Sequence, residues 1–231
     1  MPADRWVQFD GYCQFIELHA MRQIGRLRVV TPERRDLPPD LFLSLGQVAE
    51  EHGKPGLRKN IRDSESSSGR DLCTAMVHEI FGKSEPFKIM DHGIQSKPTA
   101  QLGDRVLEIS ISHTKGLTGC AVSENRTVGL DLEHEGRKVS SGLVERIRCR
   151  RNPGCEPEID AIRCWTIKEA VLKWSGTGLR SPMSEVVITR MGDEAFKAVA
   201  PGGEEVYVIS FIFERYWVAL AYDDPEKGGV L

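Results

Sequence analysis

Apolar and polar positions alternate through the middle of the chain and again near its end. In 106–112, 119–122 and 127–132, β-forming residues alternate or cluster between short polar breaks, which predicts a meander of strands. The pattern returns in 186–189, 206–213 and 217–222, with Pro201-Gly202-Gly203 as a turn. Two segments change to a helical period. Leu72, Met76 and Ile80 stand at i, i+4 and i+8 within 70–81, and Gly82 follows as a stop. Residues 159–174 make a second helix, ended by Gly176 and Gly178.

The first 57 residues resist this reading. Thr31-Pro32, Pro38-Pro39 and Pro55-Gly56 interrupt them, so long elements are not expected there. A short helix is expected over 41–51. The polar stretch 58–69 follows, and Ser64-Glu65-Ser66-Ser67-Ser68-Gly69 reads as a loop.

Helix then strands therefore occurs twice. Gly119-Cys120-Ala121-Val122-Ser123-Glu124 and Val218-Ala219-Leu220-Ala221-Tyr222-Asp223 occupy matching places after each helix. The order predicts an α+β fold of two similar halves, residues 1–122 and 123–231.

Composition narrows the function classes. Hydrophobic residues make up 40% of the 231 and charged residues 28%, which fits a folded globular chain. A net charge of −3 gives no global pull toward nucleic acid. No apolar run approaches the roughly 20 residues that span a bilayer, and 1–10 lacks a secretion core, so a cytoplasmic, non-membrane protein is expected. Cys13, Cys73, Cys120, Cys149, Cys155 and Cys164 include no Cys-x-x-Cys pair and read as free thiols.

The chemistry sits in two distant stretches, Val128-Gly129-Leu130-Asp131-Leu132-Glu133 and Trp165-Thr166-Ile167-Lys168-Glu169-Ala170-Val171-Leu172-Lys173. On a strand, Asp131 and Glu133 project from one face, with Leu130 and Leu132 on the other. On a helix, Trp165, Glu169 and Lys173 are stacked neighbours. Alone, the acidic pair reads as solvated surface. Alone, the helical pair reads as a salt bridge contributing about 0.3–0.5 kcal/mol. If helix and strand pack together, Asp131, Glu133 and Glu169 can converge on one divalent cation with Lys173 beside it. That set suits magnesium and a phosphate-bearing substrate.

Weaker signals surround this core. Ser110-Ile111-Ser112-His113 ends a strand, and His113 there can meet an anion through its ring N–H or be structural. Lys97-Pro98 marks a turn. Arg58, Lys59, Arg62 and Arg70 form a basic cluster that is either a solvated face or a phosphate patch. Arg146, Arg148, Arg150 and Arg151 form a second, suited to an acidic partner or to plain surface.

Taken in order, these pieces resemble the 4′-phosphopantetheinyl transferases, of the larger surfactin-synthetase-activating type. The family pattern Gly-(Val/Ile/Leu)-Asp-(Val/Ile/Leu)-Glu, then Trp-(Ser/Cys/Thr)-x-Lys-Glu-(Ala/Ser)-x-x-Lys, is matched by Gly129 to Glu133 and by Trp165 to Lys173. Lys97-Pro98 and Ser112-His113 match its Lys-Pro and Ser-His elements, and the likeness spans 97–179. Ser110 and Ile109 depart from it, standing where Asn and Phe are common.

The resemblance implies two α/β halves with the active site in the cleft between them. It implies a holo-[acyl-carrier-protein] synthase type of enzyme, acting as a monomer. The donor would be coenzyme A. The acceptor would be a serine of an acyl or peptidyl carrier protein from fatty-acid, polyketide or peptide synthesis, and adenosine 3′,5′-bisphosphate would leave. Asp131, Glu133 and Glu169 would hold Mg2+, Glu169 would be the base, and Lys173 would face the pyrophosphate. His113 would contact the 3′-phosphate, Lys97 and Ser112 would line the coenzyme site, and Arg58, Lys59 and Arg70 would hold the adenine-side phosphate. Two rivals stay open: a magnesium-dependent nuclease and a non-catalytic coenzyme A or carrier-binding module.

Overall fold

The computed structural model describes residues 22–24, 27–30, 37–48, 58–91, 97–150 and 158–223. Along the chain come β1 (Arg22–Ile24), β2 (Leu27–Val30), β3 (Leu41–Val48), α1 (Arg58–Phe81), β4 (Phe87–Met90), β5 (Thr99–Leu102), β6 (Arg105–Thr114) and β7 (Leu117–Ser123). Then follow β8 (Val128–His134), α2 (Ser141–Ile147), α3 (Ala161–Trp174), β9 (Val187–Arg190), β10 (Ala195–Val199), β11 (Glu205–Phe213) and β12 (Tyr216–Tyr222). The strands form two antiparallel sheets, ordered β1-β2-β3-β7-β6-β5-β4 and β8-β12-β11-β10-β9. The fold is thus mixed α/β, and the chain passes from one sheet to the other between Ser123 and Val128.

Strand alternation explains the layering. Leu41, Leu43 and Leu45 of β3, with Leu117 and Ala121 of β7, meet Leu130, Leu132, Ile209, Phe211, Val218 and Leu220 in a core between the sheets. The opposite face of the first sheet, through Leu107, Ile109, Cys120 and Val122, takes Leu72, Cys73, Met76, Val77 and Ile80 of α1. The opposite face of the second, through Phe196, Val206, Val208, Ala219 and Ala221, takes Ile162, Ile167, Ala170 and Val171 of α3.

Two expectations are corrected. Residues 41–48 are strand, not helix: leucines at every second position bury one face, and β3 fills a place beside β7 that only an extended chain can pair with. The run 64–69 is not a loop, because α1 is continuous from Arg58 to Phe81. Gly69 is buried where a Cβ would stand 2.5 Å from Ile111 Cγ2, so the small residue lets the helix lie close on the sheet. Among its described residues the N-terminal region supplies β1, β2 and β3, which its prolines had hidden. The helix over 70–81 and its stop at Gly82, which has φ +86°, are as expected. Cys73 and Cys120 are buried thiols. Among the described residues no helix is long and apolar enough to cross a membrane.

Candidate active site

The site is organised by an edge strand. Among the described residues β8 pairs only with β12, so its other edge carries backbone groups with no ladder partner there. β6 covers that edge with a row of polar side chains at alternate positions: Glu108, Ser110, Ser112 and Thr114. Ser110 Oγ accepts from the Leu130 N–H at 2.9 Å. Lys173 Nζ donates to the Leu130 carbonyl at 3.0 Å. The serines that interrupt an apolar strand thus satisfy a buried edge.

Helix α3 is fixed against the same strand. Asp160 caps it, accepting from the N–H groups of Ile162 (2.8 Å) and Arg163 (3.1 Å), a contribution of about 1 kcal/mol. Gly129 lets it approach: a Cβ there would fall 2.1 Å from the Ala170 carbonyl oxygen. Residues 164 to 172 are all buried, including Lys168, whose ammonium donates to the Ile147 carbonyl at the end of α2.

This packing brings Asp131, Glu169 and Lys173 together, as the strand and helix periods led one to expect, with Ser112 beside them and Glu133 turned aside. Asp131 is buried, and its Oδ1 accepts from Lys173 Nζ at 2.7 Å and Ser112 Oγ at 3.1 Å. Lys173 also donates to Ser112 Oγ at 2.9 Å, so all three of its protons are engaged within the protein. It can face a phosphoryl oxygen only by releasing one of these partners. Burial raises the Asp131 pKa above the ordinary carboxylate range, against the pull of Lys173. Glu169 is pushed up to about 7, first by burial and then by the charge of Asp131, while Lys173, Arg137 and Arg146 oppose the shift. Glu133 is tied up differently. Thr114 Oγ1 (3.3 Å) and its neighbour's N–H, that of His134 (3.0 Å), donate to one oxygen, and Arg137 donates to the other.

The other expected residues scatter. Lys97 lies farther along the same seam, bonded to Glu108 at 2.5 Å and beside Gly176 at the end of α3. Burial lowers its pKa, against the Glu108 carboxylate. His113 is exposed, and strand alternation turns it to the face of β6 opposite Ser112. Arg70 pairs with Asp91 at 2.9 Å on the surface of α1. Arg58 and Lys59 fall in the first turn of α1, and their side chains lie outside those described, as does all of Arg151. Arg146, Arg148 and Arg150 are exposed. The first and last of these line a cavity of about 220 Å³ with Glu145, Ser181, Pro182, Met183 and Ser184.

Sequence reasoning missed Arg137 and Thr114. Thr114 continued the legible alternation of Ser110 and Ser112. Arg137 had as its signal only a position four residues after Glu133, beyond the strand's end. Its guanidinium lies 4.8 Å from the Trp165 ring centroid.

The metal expectation meets a mixed result. Among the described residues no three His, Cys, Asp or Glu side chains stand close enough to share an ion, since Glu133 is turned to Arg137 and Thr114. The donor chemistry still fits a hard cation: Asp131 and Glu169 are buried oxygen donors, and the Asp131 charge raises the cost of ionising Glu169.

No protein-family model matches the chain. Over 145 residues it is 30% identical to the 4′-phosphopantetheinyl transferase HetI of Nostoc sp.. The alignment takes in 57% of this chain and 59% of that protein, so the chain spans about three fifths of the relative's length. That similarity supports a relation to the 4′-phosphopantetheinyl transferase superfamily.

Proposed function

We propose that this chain is a phosphopantetheinyl transferase that moves the phosphopantetheine arm of coenzyme A onto a serine of an acyl or peptidyl carrier protein, releasing adenosine 3′,5′-bisphosphate. The observation that carries the reading is the meeting of Asp131 on β8 with Glu169 and Lys173 on α3, in a chain similar to such a transferase. The two sheets, dividing between residues 123 and 128, fit two halves split near 122 with the site at their junction. The chain is read as a monomer working in the cytoplasm.

Glu169 is the base. It lies beside Asp131 and Lys173, where it can take the proton of the attacking serine directly or through a water; the pKa of about 7 is that of the ion-free carboxyl. Lys173 stabilises charge on the transferring phosphoryl group, exchanging one of its contacts to Ser112, Leu130 or Asp131 for a phosphoryl oxygen. Asp131, Glu169 and, once parted from Arg137, Glu133 would hold Mg2+, which supplies charge neutralisation at the phosphoryl oxygens. The carrier brings its serine in line with the departing oxygen. His113, Lys97 and Ser112, with Arg58, Lys59 and Arg70 as phosphate contacts, complete the proposed coenzyme site.

A nuclease would need a broad basic surface, which a net charge of −3 disfavours. A non-catalytic binder has no need of a base such as Glu169 beside Asp131 and Lys173. Incubation of an apo carrier protein with coenzyme A and Mg2+, read by intact-mass spectrometry, separates the three. A mass gain of one phosphopantetheine arm supports transfer, and an unmodified carrier contradicts it.

A further inference from the structure

The acidic site carries two cations of its own. Lys173 sits on Asp131, with all three protons engaged. Arg137 sits on Glu133 and is held more loosely. Its side chain is 35% exposed, and among the described residues its hydrogen-bond acceptor is one Glu133 oxygen. The rest of its anchorage is the Trp165 ring, 4.8 Å from the guanidinium carbon, a contact that does not depend on the carboxylate. The Thr114 hydroxyl and the His134 N–H fix the other Glu133 oxygen. The oxygen left for a ligand bond is thus the one Arg137 holds.

We propose that Arg137 is a competing counter-cation: its guanidinium neutralises Glu133 in the ion-free site, and a divalent ion that takes Glu133 must displace it. The inference rests on the reading of Glu133 as a metal ligand. Two positive charges cannot share one carboxylate oxygen at contact distance without losing most of the attraction of each. Trp165 and open solvent give the released side chain a place to go, so exchange needs no movement of β8 or α3. Arg137 therefore lowers the intrinsic affinity for the ion. Once displaced, its planar fork stands beside the site with donors free for phosphate oxygens.

The test is a titration of ion-free protein with Mn2+ alone, following the free Mn2+ signal by electron paramagnetic resonance. Wild type, Arg137→Gln, Glu133→Gln and the double variant are compared, each checked by circular dichroism. R137Q is expected to bind Mn2+ roughly three- to tenfold more tightly than wild type, and the gain is expected to vanish in the E133Q background. Arg137→Met, which keeps Trp165 covered, repeats the measurement if R137Q does not fold. Equal or weaker binding by R137Q overturns the inference. A gain that survives E133Q also overturns it, since the effect is then general electrostatics. Absence of Mn2+ binding at millimolar concentration in wild type and every variant would overturn it together with the metal reading on which it rests.

Discussion

Gly129→Ala adds one methyl group at the point where β8 and α3 touch. The new Cβ would lie 2.1 Å from the Ala170 carbonyl oxygen, 2.4 Å from the Trp174 nitrogen and 2.9 Å from the Trp174 Cα. All three are backbone atoms of a buried helix, so no rotamer change relieves the contact. Gly129 is not at positive φ; space, not backbone freedom, demands glycine here. Restoring van der Waals contact requires α3 to retreat by roughly 1 Å. Overpacking by a methylene costs about 1–3 kcal/mol where side chains can yield, and about 3 kcal/mol is expected where they cannot. The retreat carries Glu169 and Lys173 away from Asp131, so turnover should fall on the order of 100-fold. Gly119→Ala is the internal comparison. The three atoms nearest its Cβ are the ends of Leu45, Leu130 and Leu132 at 3.0–3.1 Å, which can shift for about 1 kcal/mol. Urea unfolding followed by tryptophan fluorescence, with a transfer assay on the same samples, measures both effects. If G129A unfolds at the wild-type midpoint and turns over normally, the close approach of α3 does not organise the site.

Glu169→Gln should trade activity for stability in ion-free protein. The folded pKa of about 7 lies above the ordinary value near 4.5. At low pH the carboxyl is neutral in folded and unfolded chains alike and carries no penalty. As pH rises through that window the unfolded chain ionises first, so stability falls, by on the order of 3 kcal/mol once pH exceeds about 7. E169Q should therefore melt higher than wild type at about pH 8 in chelator and equally at about pH 4.5; a pH-independent gap would refute the assignment. His113→Ala should weaken coenzyme A about 10- to 100-fold while leaving dephospho-coenzyme A nearly unaffected, because only the former offers a 3′-phosphate for a charge-assisted contact. Equal losses in calorimetry would return this exposed side chain to a structural role. Reversing charge at Arg148, Arg150 and Arg151 should raise the Michaelis constant for the carrier and flatten its salt dependence, with coenzyme A binding unchanged. Matching salt profiles would place carrier docking elsewhere.

The site was legible because its periodicities are local. Alternation along 128–133 and the four-residue spacing of Trp165, Glu169 and Lys173 determine which side chains share a face, and packing of α3 on β8 does the rest. What escaped depends on partners distant in sequence. The leucines of 41–48 are strand-like in period, but their place beside β7 is set by residues 117–123. The serine run 64–69 stays helical because Gly69 rests on Ile111 and Thr118. Arg137 follows the strand in a polar turn, and it is its hold on Glu133 together with its place over Trp165, 28 positions on, that makes it part of the site.

The most direct test compares wild type with Asp131→Asn in the modification of an apo carrier protein. The substitution keeps the shape of a side chain that holds Ser112 and Lys173 and removes only its charge. Intact-mass spectrometry of the carrier, after incubation with coenzyme A and Mg2+, should show one added phosphopantetheine arm with wild type. D131N, folded by circular dichroism, should give none, with no adenosine 3′,5′-bisphosphate released. An unmodified carrier with wild type, or full modification by D131N, would contradict the assignment of transfer to this site.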